Sequence, residues 1–206
     1  MSDSFYFYQP GQSHDLPHDP FNAIIAPRPI GWISSIDKKG RANLAPYSFF
    51  NAFNYTPPIV GFSSIGYKDT VANIEKTGEF CWNLVTVSLA EQMNLTSSAV
   101  DTGVDEFALA GLEKRNSKVI SVPHVASSPV TMECRLSQII QLSSANGDKC
   151  DSYLVLGEVV GVHINQAYLE DGIFQTGKAN IAMRAGGPAD YFEVKEENKF
   201  QLKRPK

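Results

Sequence analysis

The 206 residues carry 43% hydrophobic side chains, enough for one good core, so a single domain is expected. With 18 Lys and Arg against 22 Asp and Glu, the formal charge is −4 and no basic run marks a face, which argues against a nucleic-acid partner. The N-terminus, MSDSFYFYQPGQSHDLPHDP, has neither a basic n-region nor a continuous apolar h-region, and no apolar run reaches membrane-spanning length, so a cytoplasmic protein with no membrane partner is expected.

Residues 1–20 read as an extended lead-in whose aromatics, Phe5, Tyr6, Phe7 and Tyr8, are expected to pack on something. Strand signals, rich in β-branched and aromatic residues, then lie at 30–36, 43–50, 59–65, 80–87, 129–142 and 152–164. The last two are joined by Ser143 to Asp148, in which Asn146-Gly147 is a strong turn signal. A helix is predicted to start near Asp69 and stop at Gly78, a suitable C′ glycine. Ser88-Leu89-Ala90-Glu91 reads as a capping box that opens a second helix from Leu89 to about Ala99. A third, short helix is predicted from Val104 to Ala110, closed by Gly111. Many strands, few helices and no regular βα alternation argue against a Rossmann sheet and for a mainly β, antiparallel barrel. The chain has no repeats or low-complexity linker, so one domain spans 21–194, with the lead-in before it and a charged, loosely held tail, Lys195 to Lys206, after it.

The most informative stretch is Pro27 to Asn51. A Pro-Arg-Pro entry, a strand and a tight turn, Asp37-Lys38-Lys39-Gly40, lead into Asn43, Leu44, Ala45, Pro46, Tyr47, Ser48, Phe49, Phe50 and Asn51. Small, amide, hydroxyl and aromatic side chains follow one another there without charge, a pattern that suits a flat, polar-edged heterocycle. A plain core segment is the alternative, since Pro46 breaks the ladder and Phe49, Phe50 and Phe53 are natural core residues; it leaves Asn43, Ser48 and Asn51 unexplained. A flavin ring needs donors along its N1, O2, O4 and N5 edge and apolar groups against its face, and Trp32 is either that face or core.

Downstream, Gly61 to Thr70 (GFSSIGYKDT) has the outline of a Walker A loop but fails it, because Tyr67 separates the lysine from the glycine and Asp69 stands where Ser/Thr must follow. No GxGxxG occurs. Yet Ser63-Ser64 end a strand, Lys68 adds a positive charge and Thr70 opens a helix, a set suited to a phosphate. The alternative is Asp69 as an N-cap beside a solvated Lys68. With the upstream stretch, these residues make FMN the ligand to test first.

The other reactive side chains carry less. Cys81 and Cys134 sit in apolar strand-like runs and read as buried free thiols, while Cys150 falls in a probable loop without nucleophile context. His14 and His18, with Asp15 and Asp19, have metal-like spacing, but Pro17 prevents regular helix and a solvated tail without metal is expected. His163 reads as a core or interface histidine, and His124 has no visible partner. No Ser-His-Asp order or carboxylate pair appears, so no catalytic side chain is assigned.

In order along the chain, PRPIGWISS, NLAPYSFFNAF, PPIVGFSS, KDTVANIEKTGEF, VDEFALAGL, PVTMECRL and LVLGEVVGVHI together resemble the flavin reductase-like family, from about Phe21 to Tyr191. The resemblance is to the branch of flavoredoxins and reductase components of two-component monooxygenases. It implies an FMN-binding split β-barrel, a Greek-key antiparallel barrel with a few peripheral α-helices, and a homodimer with FMN near the interface. FMN is preferred to FAD, NAD(P)H is the reductant, and a monooxygenase or another acceptor receives the electrons. By the same resemblance the isoalloxazine lies against Trp32 and the Asn43 to Asn51 segment, and Ser63, Ser64, Lys68 and Thr70 hold the phosphate. Arg28 reaches ribityl or phosphate oxygens, Asn94, Thr96 and Ser97 close the pocket, and Arg184 to Tyr191 forms a closing strand and loop beside the ring. The implied activity is NAD(P)H:flavin oxidoreduction. An FMN-binding electron carrier without efficient NAD(P)H turnover is the alternative, and a barrel that binds another small molecule or serves as a structural dimer is a third reading.

Overall fold

Antiparallel strands carry the fold in the computed structural model, which describes residues 4–205. β1 (Gly31–Ile36), β2 (Ala42–Tyr47), β3 (Phe50–Asn54), β4 (Ile59–Ile65) and β5 (Glu79–Asn83) come first. Two short strands follow, β6 (Lys114–Arg115) and β7 (His124–Val125), then the long hairpin of β8 (Val130–Ser143) and β9 (Lys149–Ile164). The main sheet runs β2-β1-β5-β8-β9-β4-β3, antiparallel at every step.

That order dictates the shape. β2 and β3 are the two edges of a seven-stranded sheet, yet only Ser48 and Phe49 join them. In a flat sheet the edges would stand about 29 Å apart, at roughly 4.8 Å per strand, and two residues cannot span that distance. The sheet therefore curls until its edges meet, and the Tyr47 ring at the end of β2 packs on Phe62 of β4, 4.5 Å between centroids. The result is a mainly β split barrel whose seam lies inside the Asn43 to Asn51 segment. The single strand predicted over 43–50 is thus two, because the chain crosses from one edge to the other at Ser48-Phe49.

Both faces of β1 and β2 are covered, which is why GWISSI is buried almost throughout instead of alternating. Ile33 and Tyr47 join the barrel core with Phe62, Val71, Ile74, Phe80 and Val155. Trp32 and Leu44 point the other way, into a second cluster with Leu89, Met93 and Phe107. Phe80 lies so close over Gly157 that a Cβ there would stand 2.3 Å from its ring, so the glycine is required for β9 to pass.

α1 (Phe21–Ile24) precedes the barrel, and α2 (Asp69–Thr77) crosses it, ending at Gly78 in the left-handed region (φ 74°), where the sequence placed its stop. α3 (Ala90–Leu95) is shorter than expected. Ser88 and Thr86 share a hydrogen bond between hydroxyls (2.8 Å), and no side chain caps the helix, so the predicted capping box does not form. α4 (Glu106–Leu109) is capped by Asp105, which accepts the Phe107 N–H at 3.1 Å. The predicted strand 80–87 ends at Asn83. The β8–β9 turn falls on Ser144 to Asp148, with Gly147 at φ 90°.

The long loop between β6 and β7 is pinned to the barrel wall by Glu133. Its fully buried carboxylate accepts the backbone N–H groups of Lys118 (2.7 Å), Val119 (2.7 Å) and Ile120 (3.1 Å), and His163 Nε2 at 2.5 Å. Burial alone would raise this carboxyl; the bonds from Lys118, His163, Val119 and Ile120 outweigh it and bring the group down to about 2. The buried His124 packs on His163 with ring centroids 4.8 Å apart. Cys81 and Cys134 are buried free thiols, as expected, and burial pushes Cys81 up to about 12.

Two small hairpins, β10 (Leu169–Glu170) with β11 (Ile173–Phe174) and β12 (Ile181–Arg184) with β13 (Tyr191–Val194), complete the chain. The backbone of Glu196 packs on Gly177, where a Cβ would stand 2.6 Å from it, while Phe200 and Leu202 beyond are exposed. In the lead-in, Tyr6 donates to the His14 carbonyl, while Phe5 and Phe7 are exposed. Among the described residues, no helix is long and apolar enough to cross a membrane, and no His/Cys/Asp/Glu group is placed to hold a metal.

Candidate functional site

A cleft of about 480 Å³ runs along β2 toward the start of α2. Asn43, Ala45, Pro46 and Tyr47 form one side, Lys68 and Thr70 one end, and Thr96 and Ser97 the opposite side. Past Pro46, Tyr47 and Ser97 it continues into a second hollow of about 280 Å³, which adds Ser48, Asn94, Arg184 and Tyr191. Eleven of the sequence-predicted residues therefore line one continuous groove at the edge that the barrel leaves open, with Ser48, Asn94 and Arg184 joining through the second hollow.

The Lys68 end is built for an anion. Lys68 is the N-cap of α2 in extended conformation (φ −88°), and no side chain caps the helix. The expectation that Asp69 might cap it is not met; Asp69 is the first helical residue, and the intrahelical bonds begin with the Ala72 N–H on the Lys68 carbonyl (3.0 Å). The amides of the first turn and the helix dipole thus open toward the cleft. Lys68 is exposed and pairs with no carboxylate among the described residues. Thr70 Oγ1 accepts from Asn43 Nδ2 at 2.8 Å, which leaves the threonine proton free to donate.

The other end is apolar with a polar rim. Between the two ends the Tyr47 ring packs on Phe62 (4.5 Å between centroids), and its buried hydroxyl turns back toward the Thr70 and Ser64 hydroxyls at the Lys68 end. Burial pushes that phenol up, so it stays a neutral donor. Arg184 donates from Nη1 to the Asp190 carbonyl (2.6 Å) and from Nη2 to those of Gly187 (2.9 Å) and Pro188 (3.1 Å), shaping the closing loop while its plane lies 5.0 Å from the Tyr191 ring centroid.

Other predicted residues stand apart. Trp32 is fully buried in the second cluster, its indole N–H donated to Thr96 Oγ1 at 2.9 Å, so it presents no face to the groove and instead fixes Thr96 from behind. Leu44 is fully buried as well, because its side chain points to the opposite face from its neighbours. Arg28 donates to the carbonyls of Ser48 (3.1 Å), Ala185 (3.2 Å) and Asn22; it ties the seam to the closing loop, and its guanidinium does not line the groove. Ser64 is buried and donates to the Gly66 carbonyl (2.9 Å). Asn51 and Ser63 line a separate hollow on the β3 side of the seam.

Glu106 was not anticipated. Buried at the groove wall, it accepts the Leu44 N–H at 3.0 Å and so satisfies a backbone group on the open edge of β2. Burial pushes its carboxyl up, and the Leu44 N–H partly counters this. Only the acidic pair Asp105-Glu106 ahead of an apolar turn hinted at it in the sequence.

Comparison with known proteins agrees with this architecture. The model of the flavin reductase like domain matches residues 25–181. A protein of Aquifex aeolicus without assigned function is 33% identical over 155 residues, which cover 73% of this chain and 76% of the relative. Nitrilotriacetate monooxygenase component B from Bacillus cereus superposes with a TM-score of 0.87 at 30% identity, covering 98% of this chain and 100% of the other. The 2-nitrobenzoate 2-nitroreductase of Pseudomonas fluorescens gives a TM-score of 0.78 at 28% identity, with 90% and 88% covered.

Proposed function

Because the chain belongs to the flavin reductase-like family, we propose that it binds FMN in the groove along β2 and acts as an NAD(P)H:flavin oxidoreductase. The observation that carries this reading is the polarity of the groove. An uncapped helix start with a lysine that has no ion pair among the described residues lies at one end, and Ala45, Pro46 and the hollow lined by Ser48, Asn94 and Arg184 lie further along. A phosphomonoester joined to a flat ring by a flexible polyol matches that sequence of environments.

In this reading Lys68, the first amides of α2 and Thr70 hold the phosphate, and Asn43 fixes the Thr70 hydroxyl so that its proton points outward. Ala45, Pro46 and Tyr47 lie along the ring, and Ser97 and Asn94 line the facing side. Bound flavin supplies the ring that accepts hydride from a reduced nicotinamide. Arg184 keeps a positive charge at the ring end, where negative charge develops on reduction. In this reading hydride transfer calls on no acid–base side chain.

The exposed Phe21, Ile24, Phe53 and Tyr55, near the hollow on the β3 side, support a homodimer that covers this apolar surface. A monooxygenase component is a suitable electron acceptor, by analogy with the Bacillus cereus relative. Free thiols suit a reducing, cytoplasmic setting. The test is a visible spectrum and FMN titration of the purified protein, followed by NADH and NADPH oxidation with added flavin, with light scattering for the dimer. Flavin uptake with turnover is expected. Uptake without turnover points to an electron carrier, and failure to take up FMN removes the reading.

A further inference from the structure

A carboxylate is out of place where a phosphate is to be held, yet Glu106 lines the same cleft as Lys68 and Thr70. It is 8% exposed and has no ion pair among the described residues. Its Oε2 accepts the Leu44 N–H at 3.0 Å, a bond that a protonated carboxyl or an amide oxygen also makes. Fastening the open edge of β2 therefore calls for an oxygen at this position and not for a charge.

The surroundings make that charge costly. Asp69, at the start of α2, brings a second carboxylate; it is half-buried and accepts from the Thr102 hydroxyl at 3.4 Å. Asp105 precedes Glu106 and is paired with Lys114 of β6. Burial pushes the Tyr47 phenol on β2 up, and Glu106 and Asp69 add to this, so both carboxylates act on the space beside the Thr70 hydroxyl. Glu91 of α3 and Asp101 of the following loop are exposed, where water screens them. Among the described residues Lys68 is the one cation lining the cleft. Burial raises the Glu106 carboxyl, the Leu44 N–H counters this in part, and Asp105 and Asp69 raise it further.

We propose that Glu106 sets how strongly the cleft holds a phosphate: as a carboxylate it repels the FMN phosphate, and it takes up a proton from solvent when FMN binds. This deepens the flavin reading and rests on it. A phosphomonoester brings about −1.5 to −2 charges at neutral pH. Lys68 and the first amides of α2 offset part of that charge, and the buried carboxylate, poorly screened by water, opposes the rest. The bound phosphate thus moves the carboxyl above its value in the free chain, and the protonated form is favoured in the complex. This contribution to FMN affinity is full below the free-chain value and is lost as pH rises through the window between the free and bound values. Riboflavin, which lacks the phosphate, escapes both the attraction of Lys68 and the repulsion of Glu106. One proton then adjusts the preference for FMN over riboflavin.

The experiment is a set of fluorescence titrations with FMN and with riboflavin, from about pH 5 to about pH 9, on the full chain, E106Q and D69N. E106Q keeps an oxygen for the Leu44 N–H. The ratio of E106Q to wild-type FMN affinity, in which the titration of the phosphate itself cancels, is expected to rise from about one at the acid end to about ten at the alkaline end. Riboflavin affinity is expected to change by about twofold or less. A ratio flat in pH overturns the proposal, and so does an equal change with riboflavin, which would place the effect at the ring. A pH dependence that D69N removes and E106Q keeps would assign it to Asp69 and would also overturn it. If E106Q does not fold, the wild-type chain decides: net proton uptake on binding FMN but not riboflavin, followed with a pH indicator over the same range, is expected, and its absence throughout overturns the role of Glu106. Binding of neither flavin by the full chain would remove the flavin reading itself, an outcome distinct from FMN binding without a linked proton, which overturns the role of Glu106 alone.

Discussion

The loop knot at Glu133 and the start of α2 use the same ingredient, a cluster of backbone N–H groups, and put it to opposite ends. At Glu133 the chain provides its own anion: three amides and an imidazole meet one buried carboxylate, and the donors are satisfied. At α2 no side chain hydrogen-bonds the first amides: the Asp69 carboxylate accepts from the Thr102 hydroxyl instead, at 3.4 Å, and Lys68 adds a positive charge beside them. A carboxylate bonded to the amides makes such a cluster a fastening; amides left without that bond beside a cavity make a receptor. Fold stability and ligand affinity should therefore separate cleanly between the two regions.

The largest effect is expected at the fastening. Glu133→Ala leaves three amides and His163 without their acceptor and should lower folding stability by about 3–5 kcal/mol, read as a shift in the denaturation midpoint. The residual folded protein should bind FMN with near-native affinity. The carboxyl, ordinarily near 4.5, stands at about 2 in the fold, so its stabilisation is complete above the ordinary value and is lost as pH falls from about 4.5 toward 2. Wild-type stability should slope through that window, and the variant should lack this component of the slope. A variant of unchanged stability, or one that loses FMN selectively, would break the contrast.

Lys68→Ala should show the reverse pattern. Loss of one charge-assisted contact to a phosphate at an exposed position should weaken FMN by about 1.5 kcal/mol, roughly tenfold, with the deficit shrinking at high salt. Without ligand, the melting temperature should not fall, since Lys68 has no ion pair among the described residues to lose. Unaltered FMN affinity would make Lys68 an ordinary surface lysine.

Much of this contrast could be read from the chain. Asp69 to Gly78 announced a helix because a left-handed glycine stop is a local requirement, and Asn146-Gly147 announced the hairpin for a similar reason. The Asn43 to Asn51 segment drew attention because its polar residues make poor core, and its place at the barrel seam accounts for them. Which way a side chain points was less accessible. Trp32 lies on a strand buried on both faces, so no alternation there tells the groove side from the core side. The capping box failed because Ser88 found a nearer partner in Thr86. Glu106 and Glu133 gave little warning, since each acts on backbone amides distant in sequence, Leu44 and the 118–120 loop, which only the folded chain brings near.

The smallest expected effect tests how finely the receptor end is set. Asn43 reaches α2 through its amide donor to Thr70 Oγ1 at 2.8 Å, and that bond leaves the threonine proton to point away from Asn43. Asn43→Ala should cost FMN affinity about 0.5–1 kcal/mol, because the Thr70 hydroxyl regains its rotation and its contact with the phosphate weakens. Thr70→Ala should cost a similar amount, and the double variant little more than either, since the asparagine acts through the hydroxyl that the second change removes. Additive losses would mean that Asn43 meets the flavin on its own account, and the redox potential of bound FMN, shifted in Asn43→Ala but not in Thr70→Ala, would then mark the ring edge as its target. In either case the effect stays within the cleft, and the Glu133 knot on the barrel wall keeps its native stability.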